Sequence, residues 1–174
     1  MHVIHPQLSN LTLQYEDAYA RGLYSNAIEI AHKILEQAYS FEDKASGYIK
    51  LMYCYYSLGE IENAFEIILR FRLLCESVET EKVNYYLHMI NGYIYDYEEN
   101  FELAISSFNN ALTLAKNLND KKAIAKSHNF YAHTLLKHGQ IKQAYENAYA
   151  NYLFIKEHLP SNQLLSCHSQ HILA

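Results

Sequence analysis

Tryptophan is absent from these 174 residues, proline occurs twice and glycine five times. So little glycine leaves almost nothing from which to build a phosphate-cradling loop. No P-loop, G-x-G-x-x-G, G-x-S-x-G or H-E-x-x-H spacing occurs. Cys54, Cys75 and Cys167 are few, far apart and outside any C-x-x-C pair. That argues against a disulfide framework or a zinc knuckle and reads as buried thiols. Fourteen Lys and Arg stand against nineteen Asp and Glu, a formal charge of −5. Nothing in that balance attracts phosphate backbones or anionic lipid, so neither nucleic acid nor a membrane is an expected partner. The start, "MHVIHPQLSN", lacks a basic segment followed by an apolar one, and no run of about 18 apolar residues follows it. A cytoplasmic location is expected.

What the chain does have is apolar residues, 50% of the total against 19% charged, and they recur. Four stretches align without gaps: "EDAYARGLYSNAIEIAHKIL", "CYYSLGEIENAFEIILRF", "YIYDYEENFELAISSFNNAL" and "HTLLKHGQIKQAYENAYANY". One alanine in each falls at Ala27, Ala64, Ala104 and Ala144, at successive spacings of 37, 40 and 40. Five residues before it stand Gly22, Gly59, Glu99 and Gly139. Each repeat reads as two helices joined by a tight turn, the glycine closing the first helix in a left-handed conformation and Asn100 helping where Glu99 replaces it. In the third repeat Phe101, Ala104, Ile105, Phe108, Ala111, Leu112 and Ala115 keep the i, i+3, i+4, i+7 spacing of an amphipathic helix. Start signals lie at Ser40 with Asp43, Ser77 with Thr80, Asn119 with Asp120, and Pro160 with Ser161. The pattern predicts an all-α chain with helices over 7–21, 24–39, 44–58, 60–76, 80–97, 100–117, 121–138, 140–157 and 162–174. The repeats span about 8–43, 44–79, 80–120 and 121–160, with a fifth beginning at 161–174.

Gly92, Tyr95, Phe101, Ala104, Phe108 and Ala111 resemble the tetratricopeptide (TPR) repeat, L-G-x2-Y followed by A-x3-F. The second repeat keeps Leu51, Tyr55, Gly59, Ala64 and Phe71, with Met52 at the small-residue position. The fourth keeps Ala132, Gly139 and Ala144, with Ala148 in place of the aromatic. No repeat has the family's closing proline, and the period is longer than the usual 34. The resemblance implies a right-handed superhelical solenoid built for binding protein or peptide. The long period is similar to that of regulatory regions in bacterial signalling proteins, such as diguanylate cyclases and peptide-sensing regulators. On that reading the chain is the N-terminal, sensing part of a longer protein, non-catalytic in itself. An adaptor or self-association scaffold with a permanently filled groove, in one form a homodimer, is the alternative.

Candidate chemistry is sparse. His168 and His171 share a helix face beside Cys167, but two imidazoles make no metal site, and His128, His133 and His138 rotate around their helix. No catalytic, cofactor or metal residues are assigned. The conspicuous feature is tyrosine, seventeen in all. By the resemblance, the first helices of the repeats line a groove. Helical spacing then brings Ile49, Tyr53 and Tyr56 onto it, followed by Tyr86, Met89, Tyr93 and Tyr97. Asn129 and His133 join them, continued by Phe130 and Leu136. Rings with a polar tip suit peptide anchoring, and Asn129 and His133 offer hydrogen bonds to a peptide backbone.

Overall fold

A computed structural model describes residues 6–173. Among them are nine helices and no strand: α1 (Pro6–Ala20), α2 (Tyr24–Glu36), α3 (Phe41–Leu58), α4 (Ile61–Glu76), α5 (Glu81–Tyr97), α6 (Phe101–Asn117), α7 (Lys121–Lys137), α8 (Ile141–His158) and α9 (Gln163–Leu173). The chain divides into two compact parts, one ending at Leu74 and the other beginning at Cys75.

The local chemistry explains the boundaries. Ser40 and Asp43 form a reciprocal capping box, each side chain taking the other's backbone N–H, so α3 starts at Phe41. Thr80 and Asp120 cap α5 and α7 by accepting from the N–H of Val83 and Ala123. At the last helix the cap is Asn162, whose Oδ1 accepts from the N–H of Leu165 at 3.2 Å, and not the expected Pro160 and Ser161.

The four turns within the repeats use the same pair of backbone bonds, which recurs at Asn119 and Asp120 between α6 and α7. After α3, the N–H of Gly59 reaches the carbonyl of Tyr56 at 3.0 Å and that of Glu60 reaches Tyr55 at 2.9 Å. Gly22, Gly59 and Gly139 take φ of 72°, 74° and 77°, values that cost a residue without Cβ little. In the third turn Glu99 itself takes the left-handed conformation, at φ 59°, while Asn100 begins the next helix without a side-chain cap bond. The expected helper role of Asn100 is thus corrected: bonds from the N–H of Glu99 to Asp96 and of Asn100 to Tyr95 hold Glu99 there.

The repeat alanines Ala27, Ala64, Ala104 and Ala144 are all fully buried. A methyl side chain lets two backbones approach closely. In the first part α2 packs on α1 and α3 around Ile34, Leu51 and Cys54. Buried Tyr15 donates its hydroxyl to the carbonyl of Lys50 at 3.0 Å. In the second part α6 packs on α5 and α7, α8 on α7, and α9 on both α7 and α8. There Tyr85 makes the corresponding bond to the carbonyl of Ala123 at 3.4 Å. Gly92 lies against Phe108, where an added Cβ would stand 2.5 Å from the ring.

Candidate binding surface

The second part carries the larger share of the expected groove. Tyr93 of α5 meets Phe130 of α7 edge to face, with ring centres 4.6 Å apart, and both contact Phe108 of α6, at 5.6 and 6.1 Å. These three rings form an aromatic floor that joins the first helices of successive repeats. Tyr93 is nearly covered by its neighbours, so it belongs to the floor and not to the rim. Of the other residues expected on α5 and α7, Tyr86 is half-buried, His133 is exposed, and Tyr97 and Leu136 are 44% and 38% exposed. Beyond Tyr97 is a polar corner. Lys137 Nζ donates to Asp96 at 3.0 Å on the carboxylate and 2.7 Å on the carbonyl, tying the end of α7 to the end of α5. His138 Nε2 faces the other carboxylate oxygen at 3.8 Å, too far for a hydrogen bond, and both atoms are buried without another partner.

Besides Tyr93, two more of the expected groove residues in this part are buried. Met89 is buried, its sulfur 3.7 Å from the hydroxyl of Ser127, which donates to the carbonyl of Ala123 at 2.9 Å. Asn129 is buried beneath α9, its amide donating to the carbonyl of Leu165 at 3.2 Å, so a peptide cannot reach it while α9 is docked. Both corrections have one cause: packing of successive first helices on one another buries the edge of the face nearest the next repeat. In the first part Ile49 and Tyr56 are half-buried, whereas Tyr53 is buried with its ring 6.5 Å from that of Tyr19. The sequence reading therefore leaves Ile49, Tyr56, Tyr86, Tyr97 and His133 accessible, and Tyr53, Met89, Tyr93 and Asn129 inside.

A feature the sequence reading missed lies on α8. Ile141, Tyr145, Tyr149 and Leu153, each one turn after the last, are 67%, 52%, 48% and 47% exposed, and the two tyrosine rings stack 6.3 Å apart. The i, i+4, i+8, i+12 spacing was visible, but so was the competing stripe Ala144, Ala148, Asn151 and Ile155 that is in fact buried.

Among the histidines, His128 Nδ1 lies 3.1 Å from Asn147 Oδ1, and burial holds its pKa below the usual value. Burial likewise pushes the Cys75 thiol up to about 12. The side chains of Cys167, His168 and His171 lie outside the described residues. Among those described, no group of three or more His, Cys, Asp or Glu converges as a metal site, and no helix is long and apolar enough to cross a membrane.

No family model matches the sequence, and no curated protein matches it significantly. The structure, however, matches 29 solved chains. One comprises the nearly identical TPR-like repeats of a Podosopora anserina protein described as kinesin light chain-like, with a TM-score of 0.55 at 15% identity, covering 98% of this chain and 86% of that one. A point variant of those repeats matches with a TM-score of 0.55 at 16% identity, over 99% and 86%. The fold is a TPR-like repeat solenoid. That likeness concerns architecture, since identity this low carries nothing about ligands. Within the TPR-like fold, Tyr93, Phe130 and the rim lie on the first helices of the repeats, and Phe108 and the α8 ridge on second helices.

Proposed function

We propose that this chain is a protein-interaction module that binds a peptide across the first helices of its repeats. Its anchors in the second part are Tyr86, Tyr97, His133 and Leu136 around the Tyr93–Phe130–Phe108 floor. The observation that carries this reading is the packed Tyr93–Phe130 pair on α5 and α7, with an exposed tyrosine, Tyr97, one turn on along α5 and an exposed leucine and histidine, Leu136 and His133, further along α7. Large rings with few rotors on a rigid base are the groups that dominate interface energies. In the first part Tyr56 holds the register position of Leu136, two repeats earlier. The ligand class that fits is a peptide with apolar or aromatic anchors. The polar corner offers Lys137 already engaged with Asp96, which is a poor start for an acidic tail.

The narrower form of the proposal is a sensor or regulatory region within a larger bacterial signalling protein, a diguanylate cyclase or a peptide-sensing regulator, acting in the cytoplasm. It is supported by the 40-residue period and the modest net charge. Selection of displayed random peptides against the full chain tests the binding. Enriched peptides should lose about tenfold or more in affinity with Tyr97→Ala or His133→Ala, while the melting temperature stays put. Substitutions that lower melting and binding together would return those side chains to a structural role.

A second reading has its own observation, the exposed ridge on α8. Four apolar side chains in line suit a constitutive protein interface, so that the chain serves as an adaptor or self-association scaffold. Light scattering separates the two readings. A stable complex that dissociates with Tyr149→Ser and Leu153→Ser, and ignores Tyr97→Ala, supports the adaptor.

A further inference from the structure

Where α7, α8 and α9 meet, the core changes chemistry. Asn151 stands forty residues after Ala111, at the same register position, and is 1% exposed. Its Nδ2 donates to the carbonyl of Ala125 at 2.9 Å and faces Asn129 Oδ1 at 2.9 Å and Ser169 Oγ at 3.3 Å. The Ser169 hydroxyl donates to Asn129 Oδ1 at 2.6 Å, and Asn129 Nδ2 donates to the carbonyl of Leu165 at 3.2 Å. Asn129 and Ser169 are themselves register equivalents, 40 residues apart. One turn before Ser169, Leu165 sits on Ala125 and Ile155, flanked by Phe154 and Leu159. Helix α9 is thus seated by a leucine and, one turn later, by a hydroxyl in a knot of amides.

Such a seat differs from an apolar one in two ways. Its hydrogen bonds are satisfied in a single register, so α9 cannot slide along the α7–α8 pair as an apolar helix can. Its net strength is modest, because Asn129, Asn151 and Ser169 regain water when the helix lifts. Even with α9 docked, Asn151 Oδ1 is buried without a partner, which weakens the closed state. The joint between α8 and α9 is short, Leu159 to Asn162, and contains Pro160.

We propose that α9 is a latch: it lifts and recloses as a unit while α5 to α8 stay folded, and the Asn129–Asn151–Ser169 knot is its catch. The opened seat presents two amides and an apolar hollow, fitted to a helix with a leucine followed one turn later by a hydroxyl. Native-state hydrogen exchange on the full chain, resolved by residue, tests this. Amides of α9 should exchange about tenfold or more faster than the slowest amides of α6. Ser169→Ala should speed α9 by about a further tenfold while α6 keeps its rates, and Leu165→Ala supplies the reference signature for an opened α9. Three results overturn the proposal. One is α9 exchanging at the rate of α6 in the unaltered chain. Another is α9 and α6 accelerating together in Ser169→Ala. The third is Ser169→Ala leaving α9 unchanged where Leu165→Ala accelerates it.

Discussion

Two glycines show how the same residue can serve different ends. A Cβ on Gly47 would stand 2.6 Å from the side chain of Leu35, and one on Gly92 would stand 2.5 Å from the ring of Phe108. Leu35 is half-exposed and can turn aside, whereas Phe108 is buried and braced between Tyr93 and Phe130. Gly92→Ala should therefore lose about 1–2 kcal/mol net, overpacking outweighing the better helix propensity of alanine. Gly47→Ala should change stability by less than about 0.5 kcal/mol, with urea unfolding as the measurement for both. His128 gives a pH dependence of definite sign. Burial depresses its folded pKa, so its contribution is present above the unfolded value of about 6.5 and is lost as pH falls below it. The melting temperature should fall from pH 7.5 towards about pH 5, with a shallower fall in His128→Gln.

At the scale of the element, α8 separates residues that hold the fold from residues that only face outward. Asn151→Ala removes the amide at the centre of the buried knot and should cost about 1–3 kcal/mol, since it takes a second bond from the carbonyl of Ala125 and leaves buried Asn129 Oδ1 with one donor fewer. Tyr149→Ser and Leu153→Ser, on the opposite stripe, should each stay within about 0.5 kcal/mol in thermal unfolding. The helices themselves were readable because their signals are local. Ser40 with Asp43, Thr80 and Asp120 act within three residues of the backbone they cap. Glu99 was harder to read, because nothing in a glutamate announces a left-handed backbone, and the bonds from its own N–H and that of Asn100 impose it. The surface was read less well for a long-range reason. Whether Met89 or Asn129 is a groove residue depends on what the next first helix covers, and Ser127, Leu165 and Ser169 lie 36 to 40 residues away. A spacing rule for one helix assigns a face and carries no information about its neighbour's reach.

For the molecule as a whole, the repeat explains why so much tyrosine fits into so small a chain. Tyr15 and Tyr85 each lie beneath the next first helix and donate to a carbonyl there, 35 and 38 residues on. Burial raises the pKa of both phenols well above the ordinary value. The native state keeps these protons where an unfolded chain, titrating near about 10, gives them up, so stability is full below that pH and falls as the solution becomes more alkaline. Followed by phenolate absorbance, the exposed tyrosines should ionise gradually and these two only in a cooperative step as the structure gives way. Because the chain contains no tryptophan, its near-ultraviolet signal is tyrosine's own. Tyr15 lies in one compact part and Tyr85 in the other. With Tyr15→Phe and Tyr85→Phe as references, the two phenols become unlabelled optical reporters, from which separate or simultaneous melting of the two parts can be read in a single cuvette.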